Sequence, residues 1–335
     1  MTAGHLLIRE PGISVLTDLG RTSGPRFGVP VNGALDHFSA RAANILVGNA
    51  DGAPLIEVTA IAFSFTAGVD VLVSVTGAPV DVEIDGVERP QWQPVSVSAG
   101  QTVSLRAMTG GLRSYVAVRG SFETPLLLGS CAPDTVIGFG SPLGAGDTVP
   151  VARATAPVSN PFYDAALYNL GLTTPPYLRD VARVDVTDGP DLADFGATAA
   201  RLWDRPFTVG AKSNHIGLRL SGALPERQTT GELTSRGVPV GAVEVPPGDE
   251  LLILHRGRGV TAGYPVLAVV TATGLNRLAQ VRPGDAVAFR HVSIERGVET
   301  ARAEHDHLAD LRRRITTVFE SLGLDTADHH RKGAA

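Results

Sequence analysis

The stretch that organises the chain is residues 13–49, ISVLTDLGRTSGPRFGVPVNGALDHFSARAANILVGN. It opens with a short apolar strand, and a polar loop rich in glycine and arginine follows. Apolar residues then recur at helical spacing from Phe38 onward, which predicts a helix that begins near Asp36 and ends at Gly48. Ordering a long loop between a strand and a capped helix costs free energy, so the loop is expected to serve a function.

Downstream of this stretch, apolar and polar residues alternate over most of 55–118. The alternation predicts short strands, and Asp85-Gly86 is a strong hairpin signal between two of them. Turns of the type small-Gly-polar recur along the chain at 99–101, 145–147, 247–249 and 283–285. Their recurrence reflects either the reuse of one turn chemistry or two related β-barrels in tandem.

The length of 335 residues suits about two domains of ~150 residues each. Residues 151–180 hold several prolines and no strand alternation, so they are predicted to connect the domains. We predict a β-rich N-terminal domain over 1–155, a second β-barrel domain over 156–298 and a C-terminal segment over 299–335. Apolar residues at spacings of three and four in the last segment predict an amphipathic helix before a disordered tail. The predicted fold class is therefore mostly β, with a few short helices.

Composition argues against several classes of protein. Basic residues number 29 against 34 acidic ones, so the chain lacks the excess of positive charge typical of a nucleic-acid surface. No apolar run approaches the ~18 residues of a membrane span, and the N-terminus lacks a secretory pattern, so a cytoplasmic location is expected. The single cysteine, Cys131, excludes internal disulfides. No metal site is predicted, because His305 and His307 are two residues apart on a helix and point their rings apart.

Several polar residues of the opening stretch stand where their chemistry could serve a site. Arg21 and Arg26 on the glycine-rich loop are either surface charges or a clamp for a carboxylate or phosphate. Asp36 is placed to cap the predicted helix, a role that can coexist with function in a site. Asn44 is unusual in a helix, so a buried hydrogen-bonding role is expected.

Other candidates lie on predicted strands and on the last helix. Glu57 lies in an apolar strand, where its carboxylate either faces solvent or pairs with an arginine. Arg113 and Tyr115 occupy alternate positions and therefore one strand face, so they either orient a planar substrate or form a structural salt bridge. The arginine run at 312–314 is interpreted as a solvated helix face, because acidic residues flank it. No phosphate-binding loop is present, so ATP binding by that route is not expected.

The spaced blocks DLGR, GALD and AANILVGN within 18–49 resemble the opening signature of the biotin-dependent carboxyltransferase-like family. That family is also called allophanate hydrolase subunit 2 and includes the C subunit of prokaryotic 5-oxoprolinase. Ser213-Asn214 followed by Gly217-Leu218-Arg219-Leu220, and SRGVPVGAVEVPPGDELLIL after them, extend the resemblance over residues 11–295. The resemblance implies a fold of tandem cyclophilin-like β-barrel units.

The resemblance also implies a function: the C subunit of an ATP-dependent 5-oxoprolinase, which hydrolyses 5-oxo-L-proline to glutamate. The partners would be the B subunit, an allophanate hydrolase subunit 1-like protein, and the A subunit. ATP would serve the complex, while neither a metal nor covalent biotin is implied for this chain, which lacks a biotinyl-lysine motif. One alternative is a carboxyltransferase-like protein, allophanate hydrolase subunit 2, of a urea-degradation pathway. Another is a non-catalytic regulatory protein similar to the Kip antagonist.

Opening a lactam requires activation of the amide, an oxyanion stabiliser and a positioned clamp for the substrate carboxylate. For this chemistry the acid–base candidates are Asp36, Glu57 and Glu244. The candidates for binding substrate are Arg21, Arg26, Asn44, Arg113, Tyr115, Asn214, Arg258 and Tyr264. The resemblance implies that the site lies at or near the interface with the partner protein.

The chain departs from the family pattern near these candidates. The family commonly reads Asp-Arg-Gln-Thr before its last strands, whereas Gly257 and Gly259 flank Arg258 here. Glu244 stands where the family usually has Gln. Cys131 replaces an arginine, and we interpret it as structural because no base is evident near it. If these positions contact substrate, the substrate or the activity differs from that of the family.

Overall fold

The computed structural model describes residues 4–156, 183–229, 231 and 233–324. Most of the regular structure is β, with a few short helices and a long C-terminal helix, so the predicted fold class is confirmed. The predicted connection lies mostly outside the described residues, and the predicted tail after residue 324 lies wholly outside them.

The described residues group into two compact units. The first unit contains 4–19, 37–156 and 305–324, and the second contains 20–36 and 183–304. This grouping differs from the predicted domains in two ways. The arginine-and-glycine loop belongs to the second unit, because it hydrogen-bonds to residues there. The end of the C-terminal helix belongs to the first unit, because its apolar side chains are buried there.

The described strands of the first unit form two sheets around one apolar core. They are β1 (Gly4–Glu10), β2 (Ile13–Thr17), β3 (Leu55–Thr59), β4 (Phe63–Ala67), β5 (Val71–Gly77), β6 (Val82–Ile84), β7 (Val87–Arg89), β8 (Pro94–Val97), β9 (Thr102–Leu105), β10 (Arg113–Val118) and β11 (Thr148–Val151). One sheet has the order β11-β1-β4-β9-β6-β7, and the other has the order β2-β3-β10-β5-β8. Alternate residues such as Ile56, Val73 and Val116 enter the shared core.

Helix α1 (His37–Leu46) lies on the outer face of the β2-β3-β10-β5-β8 sheet. The hydroxyls of Ser74 and Thr76 on β5 donate hydrogen bonds to the carbonyl oxygens of Ala43 and Ser39, both at 2.7 Å. These hydroxyls alternate with the valines that enter the core, so they leave the sheet on the opposite side. The helix predicted from the opening stretch is therefore present and is joined to the sheet by side-chain hydrogen bonds.

The second unit is built on a closed barrel. Its described elements are β12 (Arg183–Asp188), α2 (Arg201–Asp204), β13 (Phe207–Val209), β14 (Gly217–Ser221), β15 (Arg236–Gly237), β16 (Ala242–Glu244), β17 (Leu251–Leu254), β18 (Thr261–Ala262), β19 (Val266–Val270), α3 (Ala272–Leu278) and β20 (Ala286–His291). The barrel closes in the order β12-β19-β16-β17-β14-β13-β20. The described part of the unit also contains two 3-10 helices, Gly24–Phe27 and Leu192–Ala200.

A second buried layer covers part of the outer face of the barrel. β15 and β18 pair as a two-stranded ribbon. Small apolar side chains pack between the ribbon and the barrel: Val238, Ala242, Leu254 and Val266, with Ala262 of the ribbon against them. Alternation along β16 directs Val243 into the barrel core and therefore directs Glu244 outward, into this layer.

Helix α4 (Ile294–Ser321) is the predicted amphipathic helix, and the apolar stripe of its C-terminal part is buried. Phe319 packs against Gly48, where an added Cβ would lie 2.8 Å from the ring, so only glycine fits at the end of α1. Arg312 pairs with Asp51 at 2.5 Å, and the next two arginines both pair with Asp310 at 3.1 Å. Arg313 is exposed, as in the interpretation of a solvated helix face, whereas Arg312 is half-buried and bonds to the chain that follows α1. In the part of the chain that the structure describes, no helix has the length and apolar composition to cross a membrane.

Candidate functional site

The predicted site residues are divided between the two units. Asn44, Glu57, Arg113 and Tyr115 belong to the first unit. The second unit holds the others, which are Arg21, Arg26, Asp36, Asn214, Glu244, Arg258 and Tyr264. Within each unit, some of these side chains lie together and others lie apart.

In the first unit, Glu57 on β3 and Tyr115 on β10 lie directly opposite each other on adjacent strands. The Tyr115 hydroxyl donates a 2.9 Å hydrogen bond to Glu57 Oε2, and Arg113 Nε lies 3.5 Å from Glu57 Oε1. All three residues are at most 9% exposed. Both carboxylate oxygens therefore have a partner, and of the two alternatives for this group the structure matches the salt bridge.

Asn44 on α1 is fully buried, and its amide is engaged by the chain that follows the helix. Its Nδ2 donates to the carbonyl oxygens of Ala53 at 2.9 Å and Asp51 at 3.3 Å. Its Oδ1 accepts a 3.1 Å hydrogen bond from Asn49, whose own amide reaches the carbonyl of Val118 at 2.8 Å. The expected buried hydrogen-bonding role is present, while a contact with substrate stays a prediction.

Asp18, which sequence reasoning did not select, organises another polar group of the first unit. Its Oδ1 accepts a 2.6 Å hydrogen bond from the Ser130 hydroxyl, and its Oδ2 accepts a 2.8 Å bond from the Cys131 backbone N–H. All three residues are buried, which agrees with a structural Cys131. The aspartate of the DLGR block was the available signal, but nothing in the sequence paired it with residues more than a hundred positions away.

In the second unit, the arginine-and-glycine loop, 20–36, is tied to the turn after β17. Asn32 N donates a 2.9 Å hydrogen bond to the carbonyl oxygen of Arg256. At Gly257 an added Cβ would lie 2.5 Å from His215 Cδ2 and 3.1 Å from Asn32 Oδ1. The packing of the loop and of His215 therefore requires glycine at this position, where the family pattern has a larger residue.

Arg21 and Arg26, which were predicted to form one clamp, have different environments. Arg21 is 1% exposed, and its backbone N–H donates a 2.8 Å hydrogen bond to the Val31 carbonyl, which closes the loop. Arg26 lies on the first 3-10 helix, is exposed, and stacks over the ring of Phe27 at 4.8 Å. Only Arg21 is enclosed by protein, so the structure does not support a clamp made of both side chains.

Asp36 lies immediately before α1 and is fully buried. Its Oδ2 accepts a 2.9 Å hydrogen bond from Gln280 Nε2, and Gln280 is fully buried as well. This bond ties the end of the loop to the second unit. It joins residues 244 positions apart, so no local sequence signal could have revealed it.

Glu244, the last residue of β16, is a buried carboxylate with incomplete hydrogen bonding. It is 1% exposed and pairs with Leu252 and, after a shift in register, with Val266, which place apolar side chains beside it. Its Oε1 has no hydrogen-bond partner among the described residues. Burial raises the pKa of Glu244 to about 7, against a smaller opposing effect of the Arg236 charge. Glu244 is therefore close to half protonated at neutral pH.

Arg258 is a buried cation in the turn that leads to β18. It is 6% exposed, and its Nε and Nη2 donate to the Val238 carbonyl at 3.0 and 2.7 Å. Its Nη1 is buried and has no acceptor in the described part of the chain. Burial lowers the pKa of Arg258, but a guanidinium stays charged at neutral pH. An open N–H on a buried guanidinium suits a carboxylate ligand.

Two residues missed by sequence reasoning complete this group. Arg236 on β15 forms an ion pair with Asp191, and Asp191 Oδ2 also accepts a 2.7 Å hydrogen bond from Val266 N. Arg236 is the second residue of the SRGVPVGAVE block that ends at Glu244, so its place in that block was the available signal. We call Asp191, Arg236, Glu244 and Arg258 the ribbon site, because Arg236 lies on the β15–β18 ribbon.

Asn214 and Tyr264 lie at the surface of the second unit. Asn214 Oδ1 accepts hydrogen bonds from Ile216 N at 2.8 Å and Gly217 N at 3.3 Å, which shapes the turn before β14. Tyr264 is 44% exposed. A substrate contact for either residue stays a prediction.

The ribbon site combines two complementary chemical functions. Protonated Glu244 can donate a hydrogen bond, and Arg258 offers an N–H and a positive charge to an anion. Both border the same small apolar cluster around Val238. The arrangement suits a small ligand that carries a carboxylate and a second polar group. Among the described residues, no three or more His, Cys, Asp or Glu side chains gather where they could hold a metal ion.

Sequence comparisons relate the chain to enzymes of known name. A family model described as "Carboxyltransferase domain, subdomain A and B" matches residues 27–291. The chain is 28% identical over 316 residues to the C subunit of 5-oxoprolinase from Escherichia coli K12, covering 92% of this chain and 98% of the relative. It is 31% identical over 306 residues to the C subunit of 5-oxoprolinase from Haemophilus influenzae, covering 90% and 95%. It is also 31% identical over 294 residues to urea amidolyase of Saccharomyces cerevisiae, covering 82% of this chain and 16% of the relative.

The chain is also similar in structure to solved proteins. The crystal structure of TTHA0988 has a TM-score of 0.73 and 34% identity over 86% of this chain, which spans 55% of that structure's length. Urea amidolyase of Kluyveromyces lactis has a TM-score of 0.80 over 92% of this chain and 20% of its own. At 23% identity, the second likeness concerns the fold alone.

Proposed function

Because the chain belongs to the carboxyltransferase domain family, subdomain A and B, we propose that it is the C subunit of an ATP-dependent 5-oxoprolinase. The complex would hydrolyse 5-oxo-L-proline to glutamate in the cytoplasm, together with its B and A subunits. The proposal rests on the fraction of each relative's length that the match covers, as well as on the sequence identity. The two relatives named as 5-oxoprolinase C subunits match this chain over at least 95% of their own length, whereas the yeast urea amidolyase matches over 16%.

In this proposal the ribbon site binds the substrate. 5-Oxo-L-proline carries one carboxylate and one ring amide. Arg258 would take the carboxylate through its open Nη1, and Glu244 would hydrogen-bond to the ring amide through Oε1. Water then adds to the ring carbonyl carbon, the ring C–N bond breaks, and the nitrogen becomes the amine of glutamate. ATP would be consumed elsewhere in the complex, and this chain would bind and orient the lactam.

The proposal assigns Glu244 to hydrogen bonding in its neutral form. A protonated carboxylic acid offers both a donor and an acceptor, as does the amide of the Gln that the family usually has at this position. Burial keeps Glu244 largely neutral below pH 7, where it can replace Gln without placing a buried charge beside the substrate. This interpretation supports 5-oxoproline as substrate in spite of the departure from the family pattern.

The decisive experiment assembles this chain with its B and A partners and supplies ATP and 5-oxo-L-proline. Glutamate and ADP are expected in equal amounts, and a mixture that lacks this chain should form neither. An assembled complex, verified by size-exclusion chromatography, that forms no glutamate would overturn the proposal.

A second candidate is the carboxyltransferase-like role in urea degradation, which the 31% identity to yeast urea amidolyase favours. That role requires a biotinylated partner protein, so activity should depend on biotin and be blocked by avidin. Lactam hydrolysis by the complex proposed above should be insensitive to avidin. The same preparation therefore distinguishes the two candidates.

A further inference from the structure

A second group of unsatisfied side chains lies in the first unit, around Phe38 of α1. The ring of Trp92 lies 6.2 Å from that of Phe38, centroid to centroid, and the ring of His307 on α4 lies 5.8 Å from it. Both contacts are tilted rather than parallel. Phe38 therefore has an aromatic neighbour on each of two other elements, and no residue of the ribbon site belongs to this group.

Trp92 carries two unfavourable features at once. Its φ of 62° is a left-handed conformation that bulky residues rarely adopt. Its backbone is held there, because Trp92 N donates a 2.8 Å hydrogen bond to the Val75 carbonyl and the neighbouring Gln91 side chain bonds to Ala78 O at 3.0 Å. The side chain is 3% exposed, and its Nε1–H has no acceptor among the described residues. Backbone strain together with a buried unsatisfied donor is typical of a functional constraint.

Arg41 lies on the same helix as Phe38. It follows Phe38 by three residues on α1, so the two side chains share a helix face. Arg41 is half-buried, and its Nε is fully enclosed yet bonds to no acceptor in the described part of the chain. Among the described residues, the Arg41 Nε–H and the Trp92 Nε1–H therefore both lack an acceptor; Trp92 contacts the Phe38 ring, and Arg41 follows Phe38 on the same helix face.

We propose that Phe38, Arg41, Trp92 and His307 form a second ligand site, which binds a carboxylate attached to a planar group. Arg41 and Trp92 donate hydrogen bonds to the carboxylate oxygens, and the planar group packs among the aromatic rings. A carboxylate fits because both unsatisfied groups are donors and one carries a positive charge. The site lies within the first unit and is independent of the proposed 5-oxoprolinase activity.

The test uses the indole N–H signals of the isolated full-length chain in ¹⁵N–¹H correlation spectra, with sodium benzoate as the probe. The chain has two tryptophans, so two indole signals are expected, and a Trp203→Phe variant assigns them. Trp203 lies in the second unit beside His291 and serves as an internal control. Benzoate should shift the Trp92 signal saturably and leave the Trp203 signal in place, while benzyl alcohol, which lacks the charge, should not shift it at equal concentration.

Two arginine variants then identify the cation. Arg41→Met should weaken benzoate binding about tenfold or more, as the loss of a charge-assisted hydrogen bond does. Arg89→Met removes a half-buried arginine of β7, on the other sheet of the same unit, and should leave binding unchanged. A Trp92 signal that does not move at ~10 mM benzoate, well above the ~1 mM dissociation constant of a weak specific site, would overturn the proposal. Equal binding by wild type and a folded Arg41→Met variant would overturn it as well.

Discussion

The two units each bury a glutamate on a strand, and the two carboxylates have opposite hydrogen-bonding states. Glu57 in the first unit receives a hydrogen bond from Tyr115 and lies beside Arg113, so each of its oxygens has a partner. Glu244 in the second unit lies among apolar side chains with Oε1 unpartnered in the described residues, and its pKa is raised to about 7. Both were predicted as acid–base candidates, yet only one of them has free hydrogen-bonding capacity.

The difference indicates how to separate structural from functional buried charges. A carboxylate whose partners are supplied by its own sheet already has its hydrogen bonds. Removing any one of these partners is therefore expected to destabilise the sheet. A carboxylate that is buried without full hydrogen bonding costs free energy, and the fold retains it only if something else benefits. We therefore propose a structural role for Glu57 and a ligand-binding role for Glu244.

The largest effect is expected from removing Glu57. Glu57→Ala leaves Arg113 buried beside Tyr115 without its carboxylate, which should lower the free energy of unfolding by about 3–5 kcal/mol. Urea denaturation followed by circular dichroism measures this change. As a control, the double variant Glu57→Leu/Arg113→Met removes both charges and should recover most of the loss. A Glu57→Ala variant within ~0.5 kcal/mol of wild type would show that the group is not structural.

Glu244 should make stability depend on pH in the opposite direction from a salt-bridged carboxylate. Its pKa of about 7 in the folded chain lies above the ordinary 4.5, so the folded state binds more protons between these values. The contribution of Glu244 to stability is therefore largest below pH 4.5 and is lost as pH rises through 7, by about 3 kcal/mol at most.

The measurement is the free energy of unfolding at pH 5 and pH 8 for wild type and Glu244→Gln. Wild type should lose about 2–3 kcal/mol more than the variant over this range. Parallel curves for the two proteins would mean that Glu244 does not titrate there.

Arg258 should contribute to substrate affinity. In the assembled complex, Arg258→Met is expected to raise KM for 5-oxo-L-proline about tenfold to a hundredfold, because one charge-assisted hydrogen bond is worth about 1.5–3 kcal/mol. Arg219→Met removes an exposed arginine of β14 that pairs with Glu250, and it should leave KM unchanged. An unchanged KM in a folded Arg258→Met complex would remove Arg258 from the binding site.

The smallest effect is expected from Tyr115→Phe, which deletes one hydrogen bond to Glu57 and keeps the ring. The loss should be about 1–2 kcal/mol in the free energy of unfolding, measured by urea denaturation, with turnover unaffected. If turnover falls while stability holds, the group around Glu57 belongs to the chemistry, and the assignment to stability is wrong.

Local patterns in the sequence predicted much of the fold. The helical spacing after Phe38 gave α1, and the spacing in the last segment gave α4 with its buried stripe. Strand alternation correctly placed Arg113 and Tyr115 on one face, because side-chain direction in a strand follows from position alone. The grouping of 20–36 with the second unit was not predictable, because it depends on hydrogen bonds to residues more than two hundred positions away.

The candidate site was harder to predict for the same reason. Glu244 was selected by resemblance, but its raised pKa comes from burial, against the opposing charge of Arg236, and no local pattern shows either effect. Arg21 and Arg26 look alike in the sequence, yet Arg21 is enclosed, whereas Arg26 lies on the exposed 3-10 helix. Trp92 gave no signal at all, since a left-handed φ at tryptophan has no sequence signature.

The most direct test compares the pH dependence of 5-oxo-L-proline turnover by complexes that contain wild-type chain or Glu244→Gln. If neutral Glu244 binds the lactam, wild-type turnover should fall as pH rises above 7, while the Gln variant stays active and loses that inflection. A Gln variant that is inactive at every pH, or two profiles that superimpose, would contradict this role of Glu244.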